Sequence, residues 1–509
     1  MTAHVTTVAF EGISTTPVDV QVQMVSGIPN FSIVGLPDKA VGESKERVRA
    51  AIHALGLALP AKRIIVNLAP ADLLKEGSHF DLPIAIGLLV SMGVLPQDEV
   101  ENFVALGELS LDGGLLAVAG VLPSAMQAIE AGKGIICPST NGGEAAWSGV
   151  EPVLAPPSLL ALINHFKGTQ VLAQPECETA MATGRIVDMR EVRGQPMARR
   201  ALEVAAAGGH NLLMSGPPGA GKSLLASCLP GILPPLDAKE ILEASMIASI
   251  AGKLEGGKLS SRRPFRDPHH NASQAAMVGG GKRALPGEIS LAHHGVLFLD
   301  ELPEFPRAVL ESLRQPLETG RISVARAQAH VTYPARFQLI AAMNPCRCGY
   351  LSDAERACNK APKCAVDYQS KISGPLYDRF DMVIEVSDLP TLDMLNQNTG
   401  ESSADVAKRV AAARNRQRAR FRELNLPYAT NVELHGELLH SVVAPDAAGK
   451  KLLEEATEKL RLSMRGYTRV LRVARTIADL EGVNTVGHTH VAEALSYRQM
   501  QFGRQLETA

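Results

Sequence analysis

The sequence has few aromatic residues and no excess of charge of either sign. Aromatic side chains make up 4% of the 509 residues and include one tryptophan, Trp147. This scarcity argues against a large base-stacking surface for nucleic acid. The 51 basic and 53 acidic residues nearly cancel, so the chain has no protein-wide basic field, and any site for a polyanion must be local.

Several other classes of protein are disfavoured by what the chain lacks. Seven cysteines in a chain of this length do not form a disulfide scaffold. No apolar run approaches the roughly 18 residues of a membrane span, and residues 1–8 show no basic start followed by an apolar segment. We therefore expect a cytoplasmic protein without a membrane partner, long enough for about three domains.

The chain does contain a glycine-rich turn between an apolar strand, predicted over Asn211–Met214, and an apolar helix, predicted over residues 224–229. The turn matches the pattern G-x-x-x-x-G-K-[ST] in the context that this pattern requires. Its residues are Gly216, Pro217, Pro218, Gly219, Ala220, Gly221, Lys222 and Ser223. The glycines let backbone N–H groups face phosphate oxygens, Lys222 reaches the outer phosphates, and Ser223 can ligate Mg²⁺. This pattern predicts binding of ATP with Mg²⁺, rather than a glycine-rich turn with a chance lysine.

A second apolar run, residues 295–299, ends in Asp300 and Glu301. Such runs are common, and this one gains weight because it follows a complete phosphate-binding loop. Ligands of α/β proteins bind at the carboxyl ends of parallel strands, where these carboxylates are expected. Asp300 is predicted to hold Mg²⁺ and Glu301 to polarise the attacking water.

Long stretches of the chain, residues 34–49, 69–83 and 286–305, resemble the YifB/ComM family of Mg-chelatase-like AAA+ ATPases. The resemblance runs from about residue 5 to residue 498 and implies an α/β multidomain fold. Its parts would be an N-terminal Lon-protease-like α+β domain of the ribosomal S5 domain 2-like type, a P-loop AAA+ core with a parallel sheet and a helix-2 insert, and a C-terminal helical lid. The expected bounds are residues 1–168, a proline-punctuated linker over 169–185, the core over 186–390 and the lid over 391–509.

Lon proteases use a Ser–Lys pair, so the chain must be tested for one. The run that matches the Lon serine motif places His79 at the nucleophile position, with Ser78 one residue early. The lysine position falls near Pro123, and no lysine lies nearby before Lys133. A nucleophile without an adjacent base has no means of activation, so we expect a proteolytically inactive domain.

The resemblance to AAA+ proteins also assigns roles around the nucleotide. It implies that Val192 and Gly194 contribute to the adenine pocket and that Asn344, at the end of a strand, orients the hydrolytic water. It implies that Arg379 acts across a subunit interface on the γ-phosphate of a neighbour, and that Arg472 of the lid is the sensor 2 arginine.

Each of these assignments has a plainer alternative. Residues 192–194 would be an ordinary loop, and Asn344 a strand-terminal asparagine. Arg379 would pair within its own chain with Asp378 or Asp381. The arginines at 469, 472 and 475 would form a solvated basic face, and their spacing does not tell which of them reaches ATP.

Two insertions carry candidate DNA contacts. Residues 262–290 resemble the helix-2 insert and contain Lys282 and Arg283 in a glycine-rich loop. Residues 320–334 are predicted to form a hairpin with Arg326 at or near its turn. In ring helicases such loops face the pore, and contacts to phosphates there give affinity without sequence preference. The alternative is a solvated surface loop.

Four of the seven cysteines, Cys346, Cys348, Cys358 and Cys364, fall within 19 residues of little periodic pattern. Four thiolates can bind Zn²⁺ tetrahedrally and staple such a segment. The spacings are not those of common zinc ribbons, so buried or inert cysteines remain the alternative.

Two further features of the sequence give weaker evidence of function. The adjacent histidines at 269–270 and 293–294 are expected to point apart and not to chelate a metal. The basic helix predicted over Ala404–Arg422 is either a solvated face or a contact for DNA or a neighbouring subunit.

The residues alone predict an ATP-hydrolysing ring motor. The family resemblance implies more: a homo-hexameric DNA helicase that promotes branch migration when transforming DNA is recombined, acting on single-stranded or branched DNA without sequence preference. One alternative is the motor subunit of a metal chelatase, which the Lon-like domain and the lack of an integrin-like metal-binding segment after the lid disfavour. The other is an ATP-dependent Lon-like protease, which His79 and Pro123 disfavour.

Overall fold

Two sheets organise the chain, one in its first third and one at its centre, and a group of helices follows the second. The computed structural model describes residues 2–177, 186–281, 284–325, 330–351, 356, 358–388 and 400–498. Within those residues every helix is too short or too polar to traverse a lipid bilayer.

The N-terminal sheet is mixed and has the strand order β3-β4-β2-β1-β5-β8-β9, while β6 and β7 pair separately. Its strands are β1 (Thr2–Glu11), β2 (Ser14–Val25), β3 (Asn30–Val34), β4 (Arg63–Ala69), β5 (Phe103–Ala105), β6 (Glu108–Leu109), β7 (Leu115–Leu116), β8 (Gly134–Ile136) and β9 (Val153–Leu154). The accompanying helices are α1 (Lys39–Ala54), α2 (Asp81–Ser91), α3 (Gln97–Val100), α4 (Val121–Glu130), α5 (Gly142–Ala146) and α6 (Leu159–Phe166).

Local sequence accounts for these elements. The alternation in β2 buries Val18, Val20 and Val22 on one face, as the period of two predicts. Helix α2 is buried along almost its whole length and carries Pro83 in its first turn, where a missing N–H does no harm. Helix α1 begins at Lys39 because the Asp38 side chain caps it by accepting a hydrogen bond from the N–H of Val41 at 2.8 Å.

The central sheet is wholly parallel and has the order β11-β14-β17-β10-β18. The strands of this part, including two short hairpins, are β10 (Leu212–Ser215), β11 (Phe265–Arg266), β12 (Gly279–Gly280), β13 (Leu285–Pro286), β14 (Val296–Leu299), β15 (Arg321–Ala325), β16 (His330–Pro334), β17 (Gln338–Met343) and β18 (Met382–Glu385). The helices are α7 (Pro196–Gly208), α8 (Lys222–Ile232), α9 (Ala238–Ile250), α10 (Gln274–Val278), α11 (Glu288–Leu291), α12 (Arg307–Ser312), α13 (Arg314–Thr319), α14 (Lys363–Gln369) and α15 (Gly374–Tyr377). Strands β10, β14 and β17 are buried throughout, as continuous apolar runs in a covered parallel sheet should be.

The two hairpins contact each other and the N-terminal part. Strands β15 and β16 pair antiparallel, which confirms the predicted hairpin. The Tyr333 hydroxyl donates a hydrogen bond to the carbonyl of Ala284, at the β12–β13 hairpin, at 2.8 Å. The β1–β2 turn lies against β16, since a Cβ on Gly12 would stand 2.5 Å from Cγ1 of Val331. Lys282, Arg283 and Arg326 lie outside the described residues.

The C-terminal helices are α16 (Ser403–Glu423), α17 (Gly436–Val442), α18 (Ala447–Lys459), α19 (Met464–Glu481) and α20 (His488–Ser496). Their apolar faces belong to the same core cluster as α7, α8 and one face of the central sheet. The C-terminal helices, over the part of the predicted lid that the structure describes, are therefore packed onto the sheet.

The basic helix α16 is not simply a solvated face, because several of its arginines bind groups within the chain. Arg409 pairs with Glu203 at 2.6 Å, and the buried Arg414 donates to the carbonyl of Ala206 at 2.7 Å. Arg420 pairs with Asp479 of α19. These contacts fasten α16 to α7 and α19.

Candidate nucleotide site

The phosphate-binding loop follows β10 at the edge where the parallel strands end. Gly216 passes so close to β18 that a Cβ there would lie 2.1 Å from the carbonyl oxygen of Val386, which excludes any side chain. Gly219 and Gly221 have φ of +83° and +85°, the region that favours glycine, and nothing lies within 4 Å of the position of a Cβ on either. The loop thus presents open backbone where a phosphate chain would bind.

Lys222 is the first residue of α8 and is folded into this loop. Its Nζ donates to the carbonyls of Gly216 and Pro217, both at 2.8 Å, and to Oδ1 of Asn344 at 3.2 Å. Burial lowers the pKa of Lys222, and the charges of Asp300 and Glu301 oppose that shift. The lysine and the strand-terminal asparagine, predicted from separate motifs, are brought together.

Ser223 and Asp300 also meet at this edge, where the Ser223 hydroxyl donates to Oδ2 of Asp300 at 2.6 Å. A hydroxyl and a carboxylate are the hard oxygen ligands that Mg²⁺ prefers, so the residues present fit that ion. They would hold a Mg²⁺ that neutralises charge on the nucleotide phosphates.

Glu301 follows in a left-handed conformation with φ +51°, and its Oε2 lies 3.1 Å from Nδ1 of His270. Asp267 lies nearby, and burial together with the charge of Asp300 raises its pKa. Sequence reasoning assigned no role here to Asp267 or His270. The signal available was their position directly after β11, a strand of the same parallel sheet.

The residues predicted for the adenine pocket lie on the same side of the sheet. Val192 is buried, and Gly194 has φ +63°. The next residue, Gln195, donates from Nε2 to the carbonyl of Ser387 at 2.6 Å. Since Ser387 follows β18 at the edge that carries the phosphate-binding loop, the 192–195 segment borders the expected nucleotide.

The opposite edge of the sheet, where the strands begin, has a cavity of about 700 Å³ rich in arginine. Arg379 lines it and is 9% exposed. Its guanidinium bonds to Glu318 of α13 and to the carbonyl of Pro375, while its Nε is buried without a partner. The intrachain alternative named Asp378 or Asp381, but the carboxylate that holds Arg379 is Glu318.

Arg469 and Arg472 line this cavity, and Arg475 lies among the C-terminal helices. Among the described contacts, none of the three bonds to the phosphate-binding loop of its own chain. Arg472 donates to the carbonyl of Leu434 at 2.7 Å and to His435 at 2.6 Å. Arg469 pairs with Asp381 at 3.3 Å. In the described residues Arg472 is thus held by groups of its own chain at this edge, and its role as the sensor 2 arginine stays a prediction.

The reason for this placement is the docking of α19 beneath the sheet. Thr476 of α19 lies 2.8 Å from His210, which precedes β10, and Arg475 is buried against Asp479 at 3.0 Å. A strand of four residues separates the beginning of β10 from the loop by roughly 13 Å. The three arginines are thus not a solvated face either.

The residues compared above with the serine and lysine of Lon proteases bind groups of the N-terminal part or lie inside a helix. The Ser78 hydroxyl donates to the Glu108 carboxylate. His79 is buried, with Nε2 at 2.9 Å from the carbonyl oxygen of Val8, and Pro123 lies inside α4.

The adjacent histidines at 293–294 and the cysteine segment each bring their side chains together in the structure. Contrary to the expectation that they diverge, the Nε2 atoms of His293 and His294 lie 3.4 Å and 2.6 Å from Oε2 of Glu243. Burial lowers the pKa of His293 to about 3. The thiols of the cysteine segment also gather at one point.

Comparison with known families covers most of the chain. The family described as magnesium chelatase, subunit ChlI, matches residues 188–394. Subunit ChlI of Mg-chelatase matches residues 20–141, and the C-terminal part of subunit ChlI matches residues 400–498.

Relatives match over almost their whole length. The uncharacterized protein YifB of Salmonella typhimurium is 44% identical over 97% of both chains. Competence protein ComM of Haemophilus influenzae is 42% identical over 96% of both chains. The magnesium-chelatase 38 kDa subunit of Rhodobacter capsulatus is 26% identical over 56% of this chain and 80% of its own.

Proposed function

This chain belongs to the YifB/ComM family of Mg-chelatase-like proteins, and from that membership, which implies ATPase activity, we propose an ATP-hydrolysing hexameric ring motor that acts on DNA. Lys222 and the loop N–H groups would bind the phosphates of ATP. Glu301 would take a proton from the water that attacks the γ-phosphorus, and Asn344 would orient that water as the bond to the β-phosphate oxygen breaks.

The observation that carries the proposal is the separation of Arg379 from Lys222. Asn211, at the beginning of β10, donates from Nδ2 to the carbonyl of Arg379 at 3.0 Å, whereas the phosphate-binding loop follows the end of the same strand. This placement supports a role for Arg379 at the nucleotide of another subunit rather than at that of its own chain. A head-to-tail contact between identical subunits would place it at a neighbour's nucleotide, and such contacts close into rings.

A mixing experiment tests the shared site. Lys222→Ala removes the nucleotide-binding half, and Arg379→Ala removes the arginine half, so each variant alone should be inactive. When equal amounts are mixed and allowed to exchange subunits, an Arg379→Ala subunit next to a Lys222→Ala subunit forms one complete site. Random assembly then restores about a quarter of the wild-type ATPase rate, since each interface needs both intact halves.

The controls separate assembly from chemistry. Both variants should form rings of the same mass as the wild type in light scattering, and Lys39→Ala, at a surface lysine that is 93% exposed, should hydrolyse ATP normally. An Arg379→Ala ring with the full ATPase rate would refute the shared site.

The DNA task rests on the relatives and on the two hairpins. The relative from Haemophilus influenzae is a competence protein by name, and competence concerns uptake of DNA. We propose that Lys282, Arg283 and Arg326, which lie outside the described residues, contact the DNA backbone in the ring pore. The motor would promote branch migration of single-stranded or branched DNA during recombination.

A synthetic four-way junction tests this task. ATP should drive its conversion by the wild type, and Glu301→Gln should bind the junction without moving it. Arg326→Ala should weaken DNA binding and leave the ATPase rate without DNA unchanged. An ATPase that DNA neither binds nor stimulates would exclude the helicase proposal.

A chelatase motor is the second candidate, because the magnesium-chelatase 38 kDa subunit is a relative and the matching families bear that name. Stimulation of the ATPase by partner subunits with a porphyrin, in the absence of any effect of DNA, would favour it.

We further propose that residues 1–168 form a Lon-like domain without protease activity, followed by a linker, an AAA+ core over 186–390 and a lid over 391–509. Labelling of Ser78 by a serine-reactive phosphonate would contradict the inactive domain.

A further inference from the structure

The four clustered cysteines meet just beyond the nucleotide site. Sγ of Cys346 lies 3.0 Å from Sγ of Cys348, and Sγ of Cys358 lies 3.4 Å from Sγ of Cys364. The thiols of Cys346, Cys348 and Cys364 all lie within 4.8 Å of one another. Three of the four thiols thus meet at one point, and the fourth, that of Cys358, lies against Cys364.

These distances suit a shared ion better than disulfides. A disulfide needs sulfur atoms about 2.05 Å apart, and all four cysteines are free thiols. Four sulfurs around a zinc ion at 2.3 Å stand about 3.8 Å from each other, and the two pairs at 3.0 Å and 3.4 Å are close to that separation. Four thiolates select zinc or an iron–sulfur cluster. We choose zinc because a single ion needs less space between the cysteine sulfurs than an iron–sulfur cluster does.

The segment has little else to hold it in one conformation. Among its described residues between 345 and 364, Cys346 and Gly349 are the buried ones. No strand or helix is present in those residues before α14 begins at Lys363. An ordered chain without an apolar core must be stabilised by cross-links, because fixing each residue's backbone costs about 1–2 kcal/mol.

We propose that Cys346, Cys348, Cys358 and Cys364 bind a structural zinc ion as thiolates, and that this ion fixes the loop that supports the phosphate-binding loop. Such closed four-cysteine sites contribute directly to folding rather than to chemistry.

The second part of the proposal follows from what the segment contacts. Its first cysteine stands two residues after Asn344, which accepts a hydrogen bond from Lys222. Gly349 lies against Pro218, since a Cβ on Gly349 would stand 2.6 Å from Cδ of that proline. Gln369 of α14, which lies beyond the last cysteine, donates a hydrogen bond from Nε2 to the carbonyl of Pro345 at 2.7 Å. Loss of the ion would release both Asn344 and one wall of the phosphate-binding loop.

The zinc site itself does not depend on the proposed function, whereas its effect on ATP hydrolysis does. Metal content is therefore the primary measurement. The full-length protein, purified without chelators or added metal, should contain about one zinc ion per chain, released when a mercurial reagent blocks the thiols. Iron with visible absorption, or no metal at all, would overturn the proposal.

Variants locate the ion. Cys348→Ser and Cys364→Ser should each lose zinc, whereas Cys177→Ser, at an exposed cysteine outside the cluster, should retain it. Cys364→His replaces one zinc ligand by another and should keep the metal, which separates loss of a ligand from loss of folding. Full zinc content in both serine variants would place the metal elsewhere.

Two measurements serve if the serine variants fail to fold. Replacement of zinc by cobalt in the wild type should give the thiolate-to-cobalt charge-transfer bands of a tetrahedral sulfur site. Removal of zinc should speed amide hydrogen exchange over residues 345–369 without changing exchange in the N-terminal sheet. Unchanged exchange in the 345–369 segment would refute its role as a staple. A segment that loosens while ATP hydrolysis persists would refute only the coupling to the nucleotide site.

Discussion

The two edges of the central parallel sheet carry opposite chemistry. Where the strands end, Lys222 lies among side chains that offer oxygen ligands, including Ser223 and Asp300, whose hydroxyl and carboxylate oxygens are 2.6 Å apart. Where they begin, a cavity of about 700 Å³ collects Arg379 and Arg472. We propose that the first edge holds a metal–nucleotide complex and that the second neutralises negative charge.

The arginine edge also contains buried donors without partners. The buried Nε of Arg379 and one buried Nη of Arg469 lack hydrogen-bond partners among the described residues. Unsatisfied buried donors cost free energy that an anionic ligand would recover. If a neighbour's triphosphate fills that role, assembly and hydrolysis become one event, and variants at the two edges should fail in different ways.

Arg379→Ala should give the largest difference between binding and hydrolysis. The variant should bind ATP with unchanged affinity and hydrolyse it about 10³–10⁵-fold more slowly, since an arginine of this kind acts on charge that develops during the reaction. Equilibrium binding of a fluorescent nucleotide beside a phosphate-release assay checks this. A parallel loss of affinity would move Arg379 into the binding site and end the distinction between the edges.

Glu301→Gln changes the nucleotide edge and should slow hydrolysis about 10²–10⁴-fold while ATP stays bound, because the amide cannot take the proton of the attacking water. Single-turnover kinetics with labelled ATP measures it. His270→Ala is the companion variant, because it removes the 3.1 Å contact to Glu301. It should change the rate of ATP hydrolysis, but ATP should not accumulate on the protein.

Arg472→Ala should lower hydrolysis about 10- to 100-fold, the range of a hydrogen bond to a charged group, with little loss of stability. Arg475→Ala is its matched contrast on the same helix, since Arg475 is fully engaged inside the lid and its loss should lower the melting temperature. Calorimetry measures the stability of both variants, and ATPase assays measure their activity. An inactive but stable Arg475→Ala protein would assign the role in hydrolysis to Arg475 and the structural role to Arg472.

Glu318→Gln should have the smallest effect. It removes the carboxylate that holds Arg379 within its own chain, and because Glu318 is 53% exposed the pair is worth at most about 1 kcal/mol. Hydrolysis in assembled rings should rise by up to about fivefold. A fall in rate, measured at equal ring concentration, would show that Glu318 positions Arg379 rather than competes for it.

Much of the nucleotide edge was predictable because its chemistry is local. The residues of the phosphate-binding loop are contiguous, and Asp300, Glu301 and Asn344 end apolar strands, so the rule that carboxyl ends of parallel strands share an edge brings them together. The contact between Lys222 and Asn344 is the outcome of that rule.

The arginine edge was less predictable because it depends on how the lid packs. The spacing of Arg469, Arg472 and Arg475 gives one helix, but nothing local tells which edge of the sheet that helix meets. The contact of Thr476 with His210 joins residues 266 positions apart, and it decides the matter. The same holds for Glu318, whose pairing with Arg379 has no local signal.

The close approach of Gly12 to Val331 limits how chimaeras of such proteins can be designed. The β1–β2 turn has φ +69° at this glycine and no room for a side chain, so its shape is matched to one particular hairpin. A chimaera that replaces the first 168 residues of this chain must therefore keep a glycine at the position of Gly12, since a Cβ there would stand 2.5 Å from Cγ1 of Val331.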